Sequence, residues 1–271
     1  RPAALEADAA TEAPEELLAE AAELGLTMLG VPEELGGAVS ERSSVTSVLA
    51  AVALAHGDMG LAVAALAPAG VATALSLWGD ASQQATYLPE LVGDDVAVAA
   101  LAIQEPRALF DPFALKTTAT IDGADYVLDG IKAFVPRATK ADLLLVAAEI
   151  VGHGPGLFLV ETNRAGVLAK PAPSMGVRAA GIGEVLLEQV RVPASALLAD
   201  GDPKVYAEAV RRARLAWCAL AVGTGKAVLD YVIPYVNERV AFGEPISHRQ
   251  AVAFTISNIA IELDGMRLAT W

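Results

Sequence analysis

The sequence predicts an α+β chain in three parts: an all-α N-terminal domain over 1–93, a β-barrel or sandwich domain over 94–199, and the start of a C-terminal helical bundle over 200–271. Three observations carry that prediction. The chain opens with long apolar runs cut only by Gly and Pro. It then passes into short, often β-branched runs spaced by Gly, Asp and Pro, and beyond Pro193 the long runs return. At 271 residues the chain has the length for two or three domains and a sizeable buried core.

The N-terminal elements follow from their punctuation. "APEELLAEAAELG" opens with Pro14 and two glutamates, a favourable first turn, and ends on Gly25 as a capping residue. "VPEELGG" breaks the chain at Pro32 and at Gly36-Gly37. "ERSSVTSVLAAVALAHGD" and "GLAVAALAPAGVATALSLWGD" are apolar all round, the pattern of helices packed on several sides. "ASQQATYLPELVGDD" gives a shorter helix, and Trp78 and Tyr87 are expected in the core.

From Asp95 the texture changes. "VAVAALAIQ", "LKTTATIDG", "ADYVLDGIKAFV", "ADLLLVAAEI", "GLFLVET", "GVLAKPAP" and "GEVLLEQVRVP" read as strands. The alternating halves of "KTTATIDGADYVLDG" meet at Asp122-Gly123, a hairpin signal. Short strands at regular spacing suggest a small barrel or sandwich. After Pro193, "DPKVYAEAVRRARLAWCALAVGTGKAVLDYVIPYVNERVAFG" reads as one long helix with Pro234 as a kink. "SHRQAVAFTISNIAIELDGMRLATW" follows, with Ser247 as N-cap and Gln250 three residues on, the layout of a capping box. Two long helices alone leave wide apolar faces uncovered, so further chain or a partner is expected to cover them.

Composition narrows the functions. Lys and Arg number 19 against 33 acidic residues, a net charge of −14, which disfavours nucleic acid or an anionic membrane as partner. No apolar stretch reads as approaching the ~20 residues of a bilayer span. The N-terminus lacks a basic-then-apolar signal layout, so a soluble, cytoplasmic protein with no membrane span is expected. Cys218, the one cysteine, rules out an internal disulfide or a Cys-cluster metal site, and its apolar helical setting predicts a buried, structural thiol. His56, His153 and His248 are scattered without i, i+4 ligand spacing, which gives a metal centre little support.

One corner stands out. In "AIQEPRALFDP" a small-residue strand ends at Gln104-Glu105, a proline follows, and Leu109 and Phe110 then precede Asp111. It opens the second of four ordered stretches, "LGLTMLGVPEELGG", "IQEPRALFDPFALKTTATIDGADYVLDGIKAFV", "MGVRAAGIGEVLLEQVRVPASALL" and "ERVAFGEPISHRQAVAFTISNIAIELDGMRL". Through these four the chain resembles the acyl-CoA dehydrogenase family of flavoproteins over almost its full length. The resemblance implies an FAD-dependent α,β-dehydrogenation of an acyl-CoA thioester, an electron-transfer acceptor, and a homo- or hetero-oligomer of dehydrogenase subunits. In that reaction a carboxylate takes the α proton while the β hydrogen leaves as hydride to the flavin.

The resemblance also distributes roles. Gln104 stands where the family has a threonine bonded to the flavin, and Leu109 and Phe110 replace a Gly-Ser pair that admits cofactor and thioester. In "KAFVPRA", Phe134 stands for a tryptophan beside the flavin ring, and Pro136 for a hydroxyl residue that reaches it; proline loses that hydroxyl and its own N–H together. Arg239, Phe242, Gly243 and Gln250 match a stretch that reaches across a subunit interface to the adenosine-diphosphate end of a neighbour's FAD. A guanidinium suits a pyrophosphate, and Phe242 offers a face to the adenine. Arg214 matches an arginine near the substrate. No catalytic base is identified: one family position for it is Ala213 here, and the other lies farther along than Trp271. Glu105 is expected to be structural.

Three functions fit these residues. The chain is an acyl-CoA dehydrogenase in the ordinary sense, or a catalytically degenerate partner subunit that clamps a neighbour's FAD, or a flavin-free scaffold that binds CoA thioesters. Some multisubunit members of the family, acting on bulky CoA esters such as steroid side chains, are arranged in the second way.

Overall fold

In the computed structural model, which describes residues 2–40, 43–93 and 96–271, the chain opens with two short helices, α1 (Pro2–Ala10) and α2 (Glu15–Glu23). Leu24 caps α2 and Gly25 follows at φ +73°, a left-handed turn that glycine adopts without strain. Two 3-10 turns, Leu26–Met28 and Glu33–Leu35, lie on either side of Val31, which is wholly buried.

Three longer helices follow, and each carries its own N-cap. Ser43 accepts a hydrogen bond from the Thr46 N–H at 3.3 Å to start α3 (Ser44–Gly57), and Asp58 accepts from Leu61 at 2.8 Å to start α4 (Met59–Trp78). At α5 (Ala81–Val92) Asp80 and Gln83 bond each other's backbone N–H at 2.8 and 3.0 Å, a full capping box. Gln83 also donates to the carbonyls of Ser195 and Leu197, at 2.8 and 3.1 Å, and so ties α5 to the β domain. Asp80→Ala is expected to cost about 1 kcal/mol, read as a lowered midpoint of chemical denaturation. Glu41 and Arg42, which the sequence places at the start of α3, and the domain boundary at Asp94 and Asp95 lie outside the described residues.

The middle domain is a curled, mixed sheet of seven strands. These are β1 (Ala99–Ala102), β2 (Thr118–Asp122), β3 (Asp125–Val135), β4 (Leu143–Ile150), β5 (Gly154–Glu161), β6 (Val167–Pro171) and β7 (Gly183–Pro193). They run in the order β1-β4-β2-β3-β7-β6, with β5 antiparallel on the other side of β4. The hairpin expected at Asp122-Gly123 joins β2 to β3 through Gly123, φ +66°. β4 is buried on both faces, which explains its apolar run from Leu143 to Ala148: Leu144 and Val146 enter the core inside the sheet, Leu143 and Leu145 the core under the helices.

From the sheet the chain enters α6 (Pro203–Glu238), a single 36-residue helix through Pro234, and then a short hairpin of β8 (Val240–Ala241) and β9 (Glu244–Pro245) leading to α7 (Gln250–Thr270). α6 packs along α3 so closely at Gly223 that an added Cβ would lie 2.2 Å from the Val52 carbonyl oxygen. Trp78 and Tyr87 are half-buried against the core under the helices.

Three sequence expectations are corrected. The 20 residues of α4 include no charged side chain and reach bilayer-spanning length, as does an apolar window of α6. In α4 the apolar surface serves a core: 67% of its window is buried, and the helix contributes to three separate core clusters. Cys218 is exposed, because α6 turns Ala219, Leu220, Val222 and Gly223 inward instead. Ser247 does not cap α7; it sits in the 3-10 turn Ile246–His248, and Arg249 precedes the helix without a side-chain cap.

Candidate functional site

Three features of this scaffold carry chemistry: a helix-lined cavity, the corner after β1, and the α6–α7 connection. The cavity, about 210 Å³, is predominantly apolar and lies between the loop around Leu29, α3, α4 and α6. Its walls include Leu29, Leu66, Thr73, Trp78, Leu101 and Ala213. Arg212 lines it, with Nε held by Glu208 at 2.7 Å. Arg214, the residue expected near substrate, is exposed and does not line the cavity, whereas its neighbour Ala213 does.

The corner is built around Glu105, which is buried. Its Oε1 accepts from the backbone N–H groups of Thr117 and Lys116 at 2.8 and 2.9 Å and from Lys132 Nζ at 3.2 Å. Lys132, wholly buried on β3, also donates to the Ile103 carbonyl at 3.1 Å. Burial pushes the Glu105 carboxyl up, but the Thr117 N–H and the Lys132 ammonium outweigh it and hold the group below its ordinary value. Burial pushes Lys132 down to about 8, against the attraction of Glu105, so at neutral pH it is still mostly charged. The structural role expected for Glu105 is thus the one it has here: its carboxylate is spent on holding the corner. Lys132 gave no signal in sequence, since its partner is 27 residues away.

Beyond Pro106 the corner fills itself. The Arg107 guanidinium lies over the Phe110 ring at 5.2 Å and donates to the Asp111 carbonyl at 3.2 Å, while Phe110 packs half-buried on the core under the helices. Phe113 meets Tyr206 of α6 edge-on at 5.9 Å, and the buried Tyr206 hydroxyl donates to the Pro112 carbonyl at 2.5 Å. Gln104 is exposed, and its carbonyl accepts from the Ala133 N–H at 2.8 Å, which brings it beside Phe134. There β3 shifts register between Lys132 and Val135, and Phe134 takes φ +56° with its ring 58% exposed. A bulge of this kind re-aims a side chain, here away from the core.

At the α6–α7 connection Phe242 and Gly243 form the tip of the β8–β9 hairpin, both at positive φ, and Phe242 is 94% exposed. Arg249 places its guanidinium 5.1 Å from that ring, a partner the sequence reading missed although it adjoins Gln250. Arg239 closes α6 and is exposed, as is Gln250, the first residue of α7. The expected cofactor residues therefore fall into two groups, Gln104 with Phe134 and Arg239, Phe242 and Gln250 near one another on one connection.

Three family models cover the chain: the N-terminal domain of acyl-CoA dehydrogenases at residues 1–95, the middle domain at 100–190 and the C-terminal domain at 204–271. The chain belongs to the acyl-CoA dehydrogenase family. An acryloyl-CoA reductase (NADH) of Anaerotignum propionicum is 32% identical over 98% of this dehydrogenase-family chain and 69% of its own. Butyryl-CoA dehydrogenase from Megasphaera elsdenii superposes with a TM-score of 0.86 at 26% identity, over 99% of this chain and 73% of that one. A glutaryl-CoA dehydrogenase from Mycobacterium smegmatis, in complex with FADH2, gives 0.85 at 28% identity, over 99% and 69%. Within the family's three-part architecture, the cavity lies between the N-terminal helices and α6, and the corner leads out of the first strand of the middle domain.

Proposed function

We propose that this chain is a subunit of an acyl-CoA dehydrogenase, in which the acyl chain of the thioester lies in the α3–α4–α6 cavity. The observation that carries the reading is the cavity itself: an apolar slot with one wall on α6 at Ala213, the size of a chain and lined by few polar groups. The names of the relatives, acting on butyryl-CoA and glutaryl-CoA, support a CoA thioester as ligand.

FAD fits the nucleotide side of the chain. An exposed guanidinium, an exposed aromatic face with Arg249 behind it and an exposed carboxamide, on Arg239, Phe242 and Gln250, are the donor set a pyrophosphate and an adenine call for. The ring side fits only in part. Gln104 offers an amide and Phe134 a face, but Phe110 fills the corner beneath Arg107 and Pro136 brings no donor. When bound, FAD supplies the acceptor for the hydride that leaves the β carbon. What this chain's own residues do is hold the acyl chain dry in the cavity, fix the corner through Glu105 and Lys132, and present Arg239, Phe242 and Gln250 outward.

The filled corner favours a second reading, in which an unlike subunit provides the complete flavin-ring site and this chain clamps the nucleotide of the shared FAD. The visible absorption spectrum separates the two. A chain that is yellow when purified alone supports the first, and a chain that is colourless alone and yellow with an unlike partner supports the second. Arg239→Ala is expected to lower FAD occupancy of the assembled protein several-fold, measured by flavin absorbance per subunit. Unchanged flavin content in that variant counts against the nucleotide clamp.

A further inference from the structure

Resting on the reading that the α3–α4–α6 cavity takes the acyl chain, we infer that Thr73 and Leu101, each tucked against a glycine, set the length of chain this protein accepts. The substrate class is an unbranched acyl thioester of medium length. Gly30, Gly70, Thr73 and Leu101 all line the cavity. A Cβ built on Gly30 would lie 2.0 Å from Thr73 Oγ1, and one built on Gly70 would lie 2.5 Å from Leu101 Cδ1. Each glycine thus yields the space of its missing side chain to the residue facing it, and that residue leaves the lumen wider.

The size of the lumen decides the class. At about 210 Å³ it falls below the roughly 300–1,000 Å³ of pockets for drug-sized ligands. Such a slot suits a single acyl chain of several methylenes rather than a drug-sized group. A fused ring system would have to press on Leu101 and Trp78, which line the cavity and pack on the core under the helices. The steroid-type substrates that the family resemblance admits are thereby disfavoured for this chain.

Titration calorimetry of the protein as purified tests this with free CoA, butanoyl-CoA, octanoyl-CoA, hexadecanoyl-CoA and a cyclohexyl-bearing thioester. Each methylene that enters the cavity should tighten binding about fourfold, so octanoyl-CoA should bind far better than butanoyl-CoA. Hexadecanoyl-CoA and the cyclohexyl thioester should gain nothing over octanoyl-CoA. Gly30→Ala, which drives Thr73 into the lumen, should move the optimum to shorter chains, and Leu101→Ala should move it to longer ones. Tightest binding of the hexadecanoyl or ring thioester by the unaltered protein overturns the inference. So does an optimum that stays put in both variants once circular dichroism shows them folded. If no thioester binds more tightly than CoA itself, it is the acyl-cavity reading that has failed, and the inference falls with it.

Discussion

Glu105→Ala is expected to destabilise this chain by about 3–5 kcal/mol, the cost of leaving a buried charge without its partner. Lys132 would lose the carboxylate that keeps it protonated, its Nζ left in a wholly buried site with the Ile103 carbonyl as its remaining acceptor, and the Lys116 and Thr117 N–H groups would lose theirs. Urea denaturation measures the effect, and a loss under about 1 kcal/mol would contradict the role given to the pair. The pH dependence has a definite sign. Glu105 is held below its ordinary 4.5, so it contributes stability that is present above that value and lost as pH falls through the lower folded value. Lys132 is depressed from 10.5 to about 8, so between these values the unfolded chain binds the extra proton and stability gains as pH rises. Glu105→Gln should flatten the acid limb and retain the hydrogen bonds to Lys116 and Thr117 in part.

The second large effect is expected at Gly223. Gly223→Val places a branched side chain where even a Cβ meets the Val52 carbonyl oxygen at 2.2 Å and the Ala55 Cβ at 3.0 Å. A backbone oxygen inside a helix cannot swing aside, so α6 must lift from α3. The cost should lie at or above the upper end of the about 1–3 kcal/mol usual for an overpacked core. Because α3 and α6 both line the cavity, the same variant should also weaken acyl-CoA binding. A thermal melt and a thioester titration on one preparation report both, and a variant that keeps its melting point refutes the tight crossing.

Much of this architecture is legible in the sequence because its punctuation is local. Asp58 sits directly before an apolar run, Asp80 stands three residues before Gln83 in a capping-box spacing, Gly123 stands between alternating segments, and Pro203 opens α6, so helix starts and the hairpin follow from neighbours. What sequence hides is long-range or depends on one turn of phase. Lys132 finds Glu105 only because β3 runs beside the end of β1. The exposure of Cys218 and the outward turn of Arg214 depend on which stripe of α6 meets α3, and a 36-residue helix with apolar residues on several sides does not reveal that stripe. At the candidate site the two groups, Gln104 with Phe134 and Arg239 with Phe242 and Gln250, follow from the sequence, and the contacts their members make do not. Phe134 faces outward through a bulge that alternation alone does not anticipate, and Arg249 joins Phe242 across a tight hairpin.

α4 has a consequence for how the molecule is made. Its partners are Leu88 and Leu91 nearby, but also Leu143, Leu157, Ala179, Tyr206 and Leu220, which emerge from the ribosome much later. Until α6 is synthesised, a greasy cylinder without a single charge is left without its full lining, and the helices that precede the sheet have no finished core to close upon. The N-terminal third is therefore a poor candidate for independent expression: the surface it buries is supplied by its own distant half.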